Sequence, residues 1–160
     1  MRVVVQRVSE AAVSWPDEGD ANRTHTNRIR RGLAILVGAG PDDDDRAPTR
    51  LAEKVAQLRI FPDEDGRMNR SLEDVRGEAL VVSQFTLCAD TSKGRRPSYL
   101  RAGDPARAEA LYEAFADALR ARGAATATGS FGAHMQVSLV NDGPVTLVLS
   151  TDDWATRISG

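Results

Sequence analysis

The residues best suited to chemistry fall into two short segments, Ser83-Gln84-Phe85-Thr86-Leu87 and Asn141-Asp142-Gly143-Pro144-Val145-Thr146. Each closes an apolar, β-branched run: the first follows Ala79-Leu80-Val81-Val82, the second follows Met135-Gln136-Val137-Ser138-Leu139-Val140. Polar groups at the mouths of buried strands point to a pocket, because core packing gives no reason to place them there. A hydroxyl nucleophile at Ser83 or Thr86 would need a base, usually a histidine held by a carboxylate. Only His25, in a polar stretch, and His134, at a strand start, are available. A triad therefore has little support. An acyl-group hydrolase built here would position water and offer backbone N–H groups to the oxyanion. Ser83 and Thr86 are also compatible with ordinary sheet hydroxyls.

Gly143-Pro144 reads first as a turn after Asn141-Asp142, with the trans bond as the default. A cis bond would aim two successive carbonyls where they could hold an ammonium group and close one side of an α-carbon. Lys93-Gly94-Arg95-Arg96-Pro97-Ser98, with Arg101 beyond, is the dense basic cluster near the first segment. Its charges suit either a solvated loop or contact with RNA phosphate and sugar.

Strands are expected at Val3 to Val8, Ala11 to Trp15 and Gly32 to Gly38, the last buried on both faces. Pro16 to Arg31 reads as an exposed hairpin tip or loop. The run Asp42 to Asp45 fits the N-terminus of a helix better than a metal site, and Leu51, Val55 and Leu58 give that helix its core stripe. Asp63-Glu64-Asp65-Gly66 reads as a turn between short extended pieces. Asp104-Pro105 opens a second helix with Leu111, Phe115, Ala118 and Leu119 inside and Gly123 as its C-cap. Strands at His134 to Val140 and Val145 to Ser150 bracket the Asn141 to Pro144 turn. The order of elements gives an α+β domain, mainly antiparallel with helices packed on the sheet, and not a doubly wound nucleotide-binding fold.

The 160 residues are read as a single domain over 1–160, with 41% hydrophobic and 28% charged residues. A net charge of −2 argues against a general basic coat for long nucleic acid, though not against a local patch for an RNA end. The lone Cys88 fits a reducing compartment. No secretory signal or bilayer-length apolar run is seen, so the expectation is a soluble, cytoplasmic protein with no membrane partner. No Cys/His spacing suits zinc and no phosphate loop is present, so no metal and no cofactor are expected.

The chain resembles the D-aminoacyl-tRNA deacylases along almost its whole length. The matching residues include Gln6-Arg7-Val8, Leu58-Arg59-Ile60-Phe61, Met68-Asn69 and Gly77 to Leu87. They continue through Ala89-Asp90, Lys93 to Ser98, Thr128-Gly129, Phe131-Gly132-Ala133, Met135-Gln136-Val137 and Asn141 to Thr146. The resemblance implies a barrel-like core of mainly antiparallel sheet. It also implies hydrolysis of the ester joining a D-amino acid to the 3′ adenosine of tRNA, and of glycine mischarged on alanine tRNA. The family's enzymes are homodimers with sites at the subunit interface. On this likeness Gln84, Phe85 and Thr86 are catalytic, with a main-chain N–H near Phe85 and Thr86 supporting the oxyanion. Ser83, Arg7, Phe131, Met135 and Asn141 bind substrate, with Phe131 and Met135 around the terminal adenosine and Arg7 holding the Gly-Pro element. Gly143 and Pro144 exclude L-amino acids, and the RNA's own 2′-hydroxyl assists the reaction.

Two features depart from the family pattern: Cys88 stands where tyrosine is frequent, and Pro16 to Arg31 is longer than the usual hairpin. The competing readings are a related trans Gly-Pro deacylase acting on L-alanyl-tRNA, a hydrolase of other activated esters, and a non-catalytic RNA- or protein-binding module.

Overall fold

The computed structural model describes residues 1–20, 22–92, 95–100 and 102–151. Its framework is one long strand, β1 (Arg2–Pro16). On one edge β1 pairs antiparallel first with β3 (Gly32–Gly38), then with β2 (Thr24–Ile29). Along the whole of the other edge it pairs antiparallel with β8 (Gln136–Ser150). The sheet continues from β3 to β6 (Glu78–Ser83) and β7 (Thr126–Thr128), both parallel additions. The sheet is therefore mixed, not uniformly antiparallel. It curls into a barrel-like wall, with Asn27 Nδ2 of β2 donating to the Thr128 carbonyl of β7 at 2.6 Å. A separate ribbon pairs β4 (Phe61–Pro62) with β5 (Met68–Arg70) around the Asp63 to Gly66 turn.

Helices α1 (Ala47–Gln57) and α2 (Pro105–Ala121) pack together on one face of the sheet. Leu51, Val55, Leu111, Phe115 and Leu119 meet Val3, Val5, Leu33, Ile35 and Val81 there. On the opposite face Val8, Ala11, Val13, Ile29, Ala34, Leu80 and Val82 form a second cluster. Alternate residues of β3 and β6 thus serve different cores, which is why both strands read as unbroken apolar runs. Each fully buried aliphatic or aromatic side chain contributes about 1.5–3 kcal/mol.

Besides the end of α2, the chain departs from the sequence expectations in four places. Val3 to Val8 and Ala11 to Trp15 are one strand: exposed Ser9 and Glu10 interrupt the apolar pattern, and the pairing to β8 resumes at Glu10 after a register shift. Asp42 to Asp45 do not cap α1, whose N-cap is Arg46 with no side-chain bond. Instead Asp43 accepts from the Gly40 N–H at 2.7 Å and Asp44 from the Arg46 N–H at 3.0 Å, while Asp45 pairs with Arg107 on α2. Asn141 to Pro144 are not a turn between two strands but part of β8. Part of Pro16 to Arg31 is likewise ordered as β2.

The start of α2 is as expected and its end is not. Asp104 caps α2 by accepting from the Arg107 N–H at 3.1 Å, while the C-cap is Arg122 and not Gly123, which stands one residue beyond it at φ +88°. Glu78, at the start of β6, accepts from the Arg30 backbone N–H at 2.7 Å and from its guanidinium at 3.1 and 3.2 Å. The Arg30 backbone N–H, ahead of its side chain, holds the Glu78 carboxyl below the usual carboxylate range. Among the described residues no helix is long and apolar enough to cross a membrane.

Candidate active site

The first chemical segment sits where β6 runs out. β6 pairs with β3 up to Val37↔Ser83, and the Gln84 N–H adds one further bond to the Val37 carbonyl at 2.7 Å. The chain then tightens into a 3-10 turn, Phe85–Cys88, with Leu87 N–H bonded to the Gln84 carbonyl at 3.2 Å. Gly38 permits this close fold: a Cβ there would lie 2.8 Å from the Gln84 carbonyl oxygen and 3.0 Å from Leu87 Cβ. Gln84 Nε2 donates a hydrogen bond to Thr86 Oγ1. The first N–H groups of such a turn, those of Phe85 and Thr86, have no carbonyl within the turn to bond. They are the donors an oxyanion would use.

These residues open onto a cavity of about 480 Å³, lined by Ser83, Gln84 and Phe85 on one side and by Phe131, Gly132, Ala133, His134 and Met135 on the other. Ala102, Gly103, Pro105 and Ala108, at and before the start of α2, complete its wall. Phe131 is backed by Tyr112, ring centroids 6.0 Å apart, and the Tyr112 hydroxyl donates to the buried Val81 carbonyl at 3.0 Å. Burial pushes the Tyr112 phenol up to about 12, so it stays a donor. The structure thus brings together five of the expected residues: Ser83, Gln84, Phe85, Phe131 and Met135. Thr86 joins them through Gln84.

Arg7, Asn141, Gly143 and Pro144 form a second cluster that does not line this cavity. From Gln6↔Thr146 to Val8↔Asn141 the register advances two residues on β1 but five on β8, so the strand carries a bulge. Arg7, only 8% exposed, faces it: Nε donates to the Asp142 carbonyl at 3.0 Å and lies 3.2 Å from the Asp142 carboxylate. Its Nη1 donates to the Ile60 carbonyl. Asn141 brackets the bulge from within, accepting from the Val145 N–H at 2.8 Å and donating to the Val145 carbonyl at 3.3 Å. Gly143 has φ +137°, and an added Cβ would crowd Val145 Cγ2 at 2.8 Å and Arg7 Nη2 at 3.0 Å, so only glycine fits. The Gly143–Pro144 peptide bond is cis, and both residues are exposed.

His134 is a cavity residue that sequence reasoning assigned to a plain strand start; its place between Phe131 and Met135 was the available signal. His25 lies elsewhere, stacked on Trp15 at 5.5 Å with Nε2 2.6 Å from Asp17 Oδ2 at the hairpin tip. Among the described residues no hydrogen bond joins either histidine to Ser83 or Thr86. Cys88 is buried and belongs to a different, polar cavity of about 510 Å³ beside Gly40, Asp42 and Asp43. Of the basic cluster, Arg95 and Arg96 are exposed, whereas Lys93, Gly94 and Arg101 lie outside the described residues.

Residues 4–150 match the family described as D-Tyr-tRNA(Tyr) deacylase. The chain belongs to that family. A D-aminoacyl-tRNA deacylase of Bifidobacterium adolescentis is 50% identical over 156 residues, covering 96% of this chain and 98% of its own. A namesake from a Roseiflexus species is 55% identical over 151 residues, 94% of each chain. Among solved structures, the c-Myc DNA Unwinding Element Binding Protein superposes with a TM-score of 0.84 at 36% identity, covering 95% of this chain and 99% of its own. A probable eukaryotic D-amino acid tRNA deacylase shares the fold, with a TM-score of 0.77 at 20% identity over 92% of this chain and 97% of its own. Ser83, Gln84 and Phe85 line the cavity, whereas Gly143 and Pro144 do not.

Proposed function

We propose that this chain hydrolyses the ester of D-aminoacyl-tRNA, releasing the free D-amino acid and tRNA. The observation that carries the reading is the cavity at the end of β6, which sets the Gln84 to Thr86 turn opposite Phe131 and Met135 in a chain of this family. Phe131 and Met135 offer a flat ring and a soft thioether to the terminal adenosine. The ester carbonyl then rests against the N–H groups of Phe85 and Thr86, which take up charge as the tetrahedral centre forms. Thr86, tied to Gln84, positions the reacting group and is not a nucleophile. The RNA's own 2′-hydroxyl supplies the remaining assistance, in keeping with a site where no histidine bonds Ser83 or Thr86 among the described residues. An aminoacyl ester is labile, so orientation and charge stabilisation are sufficient catalytic means.

Selectivity is assigned to the second cluster. In a homodimer the exposed Gly143-Pro144 bulge of one protomer reaches into the cavity of its partner and rejects L-amino acids by steric exclusion. The half-exposed Val137, Val140 and Val148 along β8 favour such pairing, since apolar side chains on one exposed strand gain by being covered. Arg7 and Asn141 hold the bulge in shape. The D side chain points outward, so glycine on alanine tRNA is also a substrate. The enzyme works in the cytoplasm, where its substrate is made.

The test is side-by-side hydrolysis of D-tyrosyl-, L-tyrosyl- and glycyl-tRNA by the purified protein. Release from the D and glycyl esters with the L ester spared supports the reading. Cleavage of all three makes it a general esterase, and cleavage of none a binding module.

A further inference from the structure

Two aromatic rings in contact face solvent, and one of them, Phe85, lines the cavity. Phe85 is 55% exposed and Tyr99 43%, with centroids 5.1 Å apart in an edge-to-face arrangement at 65°. Their backbones are fixed. Phe85 opens the 3-10 turn, and the segment leading to Tyr99 is closed by the reciprocal bonds Asp90 N–H to Ser98 carbonyl, 2.8 Å, and Ser98 N–H to Asp90 carbonyl, 2.9 Å. Beyond Tyr99, the Ala102 N–H returns to the Tyr99 carbonyl at 2.9 Å, and the Gly103 N–H bonds the Ala39 carbonyl at the end of β3 at 3.1 Å. Ala102 and Gly103 are themselves cavity wall. Tyr99 is therefore a surface ring whose carbonyl is bonded to the cavity-wall residue Ala102. Arg95 and Arg96 are exposed in the loop that Asp90 and Ser98 close.

Exposed rings beside exposed guanidinium groups are how proteins hold single-stranded nucleic acid: each base offers a π-face to stack, and each phosphate a charge to pair. The cavity, about 480 Å³ and lined in part by Phe131 and Met135, has room for one terminal nucleoside, so the strand leaves across its rim.

We propose that Tyr99, braced by Phe85, is the stacking platform for the base preceding the terminal adenosine, with Arg95 and Arg96 beside the adjoining phosphates. This rests on the deacylase reading of the cavity. The platform reads no base identity, because stacking tolerates any base; it adds affinity for the strand next to the ester. Its binding is the same in ground and transition states, so it acts on KM and not on kcat.

The experiment compares two substrates with the full-length enzyme: D-tyrosyl-tRNA, and D-tyrosine esterified to adenosine alone, which lacks the preceding base. For Tyr99→Ala, KM on the tRNA ester rises about tenfold, kcat on it holds, and the ratio of kcat/KM between the long and short esters falls by the same factor. Tyr99→Phe keeps the ring and restores that ratio. An unchanged ratio in Tyr99→Ala overturns the proposal, as does an equal loss on both esters, which marks a structural role. A change of oligomeric mass in Tyr99→Ala also overturns it, by making the ring a contact between copies. If the wild-type protein cleaves neither ester, the deacylase reading itself has failed and the platform falls with it; cleavage of both by the wild type isolates the result to Tyr99.

Discussion

The cavity at the end of β6 and the bulge in β8 reach their shapes by opposite means. The cavity is made by an ending: β6 leaves its parallel partner after Ser83, and Gly38 lets the next turn fold back against β3. Its polar groups are backbone N–H groups and a glutamine tied to a threonine, with apolar rings across the gap. The bulge is made by an insertion: extra residues of β8 stand opposite β1, held in place by a buried arginine. One region gathers donors around empty space, and the other pushes an ordered backbone segment out towards solvent. A hole and a peg on the same chain, neither adjoining the other, fit an arrangement in which two copies complete each other's sites.

Filling the hole is the strongest way to break this comparison. Ala133→Trp places an indole in the cavity opposite Gln84, and hydrolysis of D-tyrosyl-tRNA should vanish while the thermal unfolding midpoint stays near that of the wild type. Retained turnover in that variant would move the chemistry elsewhere. Reshaping the peg comes next. Gly143→Ala forces a Cβ against Val145 and Arg7, and the ratio of D- to L-tyrosyl-tRNA hydrolysis should fall by about 100-fold. Paired rate measurements on the two esters would show it, and an unchanged ratio would detach the bulge from selectivity.

Thr86→Ala sharpens the description of the hole. Losing one neutral hydrogen bond with Gln84 should lower kcat about tenfold and leave turnover measurable. Complete loss with RNA binding intact would make Thr86 a nucleophile after all. The smallest effect belongs to Glu78, remote from both regions. Its carboxyl is held below the ordinary value of 4.5 by the Arg30 N–H, so it adds stability that is full above that pH and fades as pH falls through the lowered value. Glu78→Gln should therefore unfold at a lower temperature than the wild type at neutral pH, with the gap closing as the pH falls below the ordinary carboxylate range.

The hole was more legible in the sequence than the peg. Ser83 to Thr86 follow an apolar run and break it with polar residues, a one-dimensional signal of a strand mouth. Phe131 and Met135 are legible only through the family likeness, and His134 between them is hidden because a histidine at a strand start has a plain explanation. Asn141 to Pro144 misled the reading because glycine and proline are local turn signals, whereas here the flanking residues stay paired to β1 across the bulge. Arg7 gave no local sign of its role; an arginine in a strand is normally outward, and only the bonds to Ile60 and Asp142 explain its burial. Ser9 and Glu10 split β1 on paper for a similar reason, since long-range pairing with β8 overrode local polarity. Helix α2, by contrast, declared itself through Asp104-Pro105 and its spaced apolar residues, which are local signals.

The central claim is that the hole of one protomer works with the peg of its partner. A purified mixed dimer tests it, one chain carrying Ala133→Trp and the other Gly143→Ala. The open cavity then belongs to the chain with the damaged bulge. If sites form across the dimer, that cavity meets the intact bulge of the other chain, so the mixed dimer cleaves D-tyrosyl-tRNA at about half the wild-type rate and spares the L ester. Cleavage of the L ester at about half the rate of the Gly143→Ala homodimer would place hole and peg in the same chain and contradict the account.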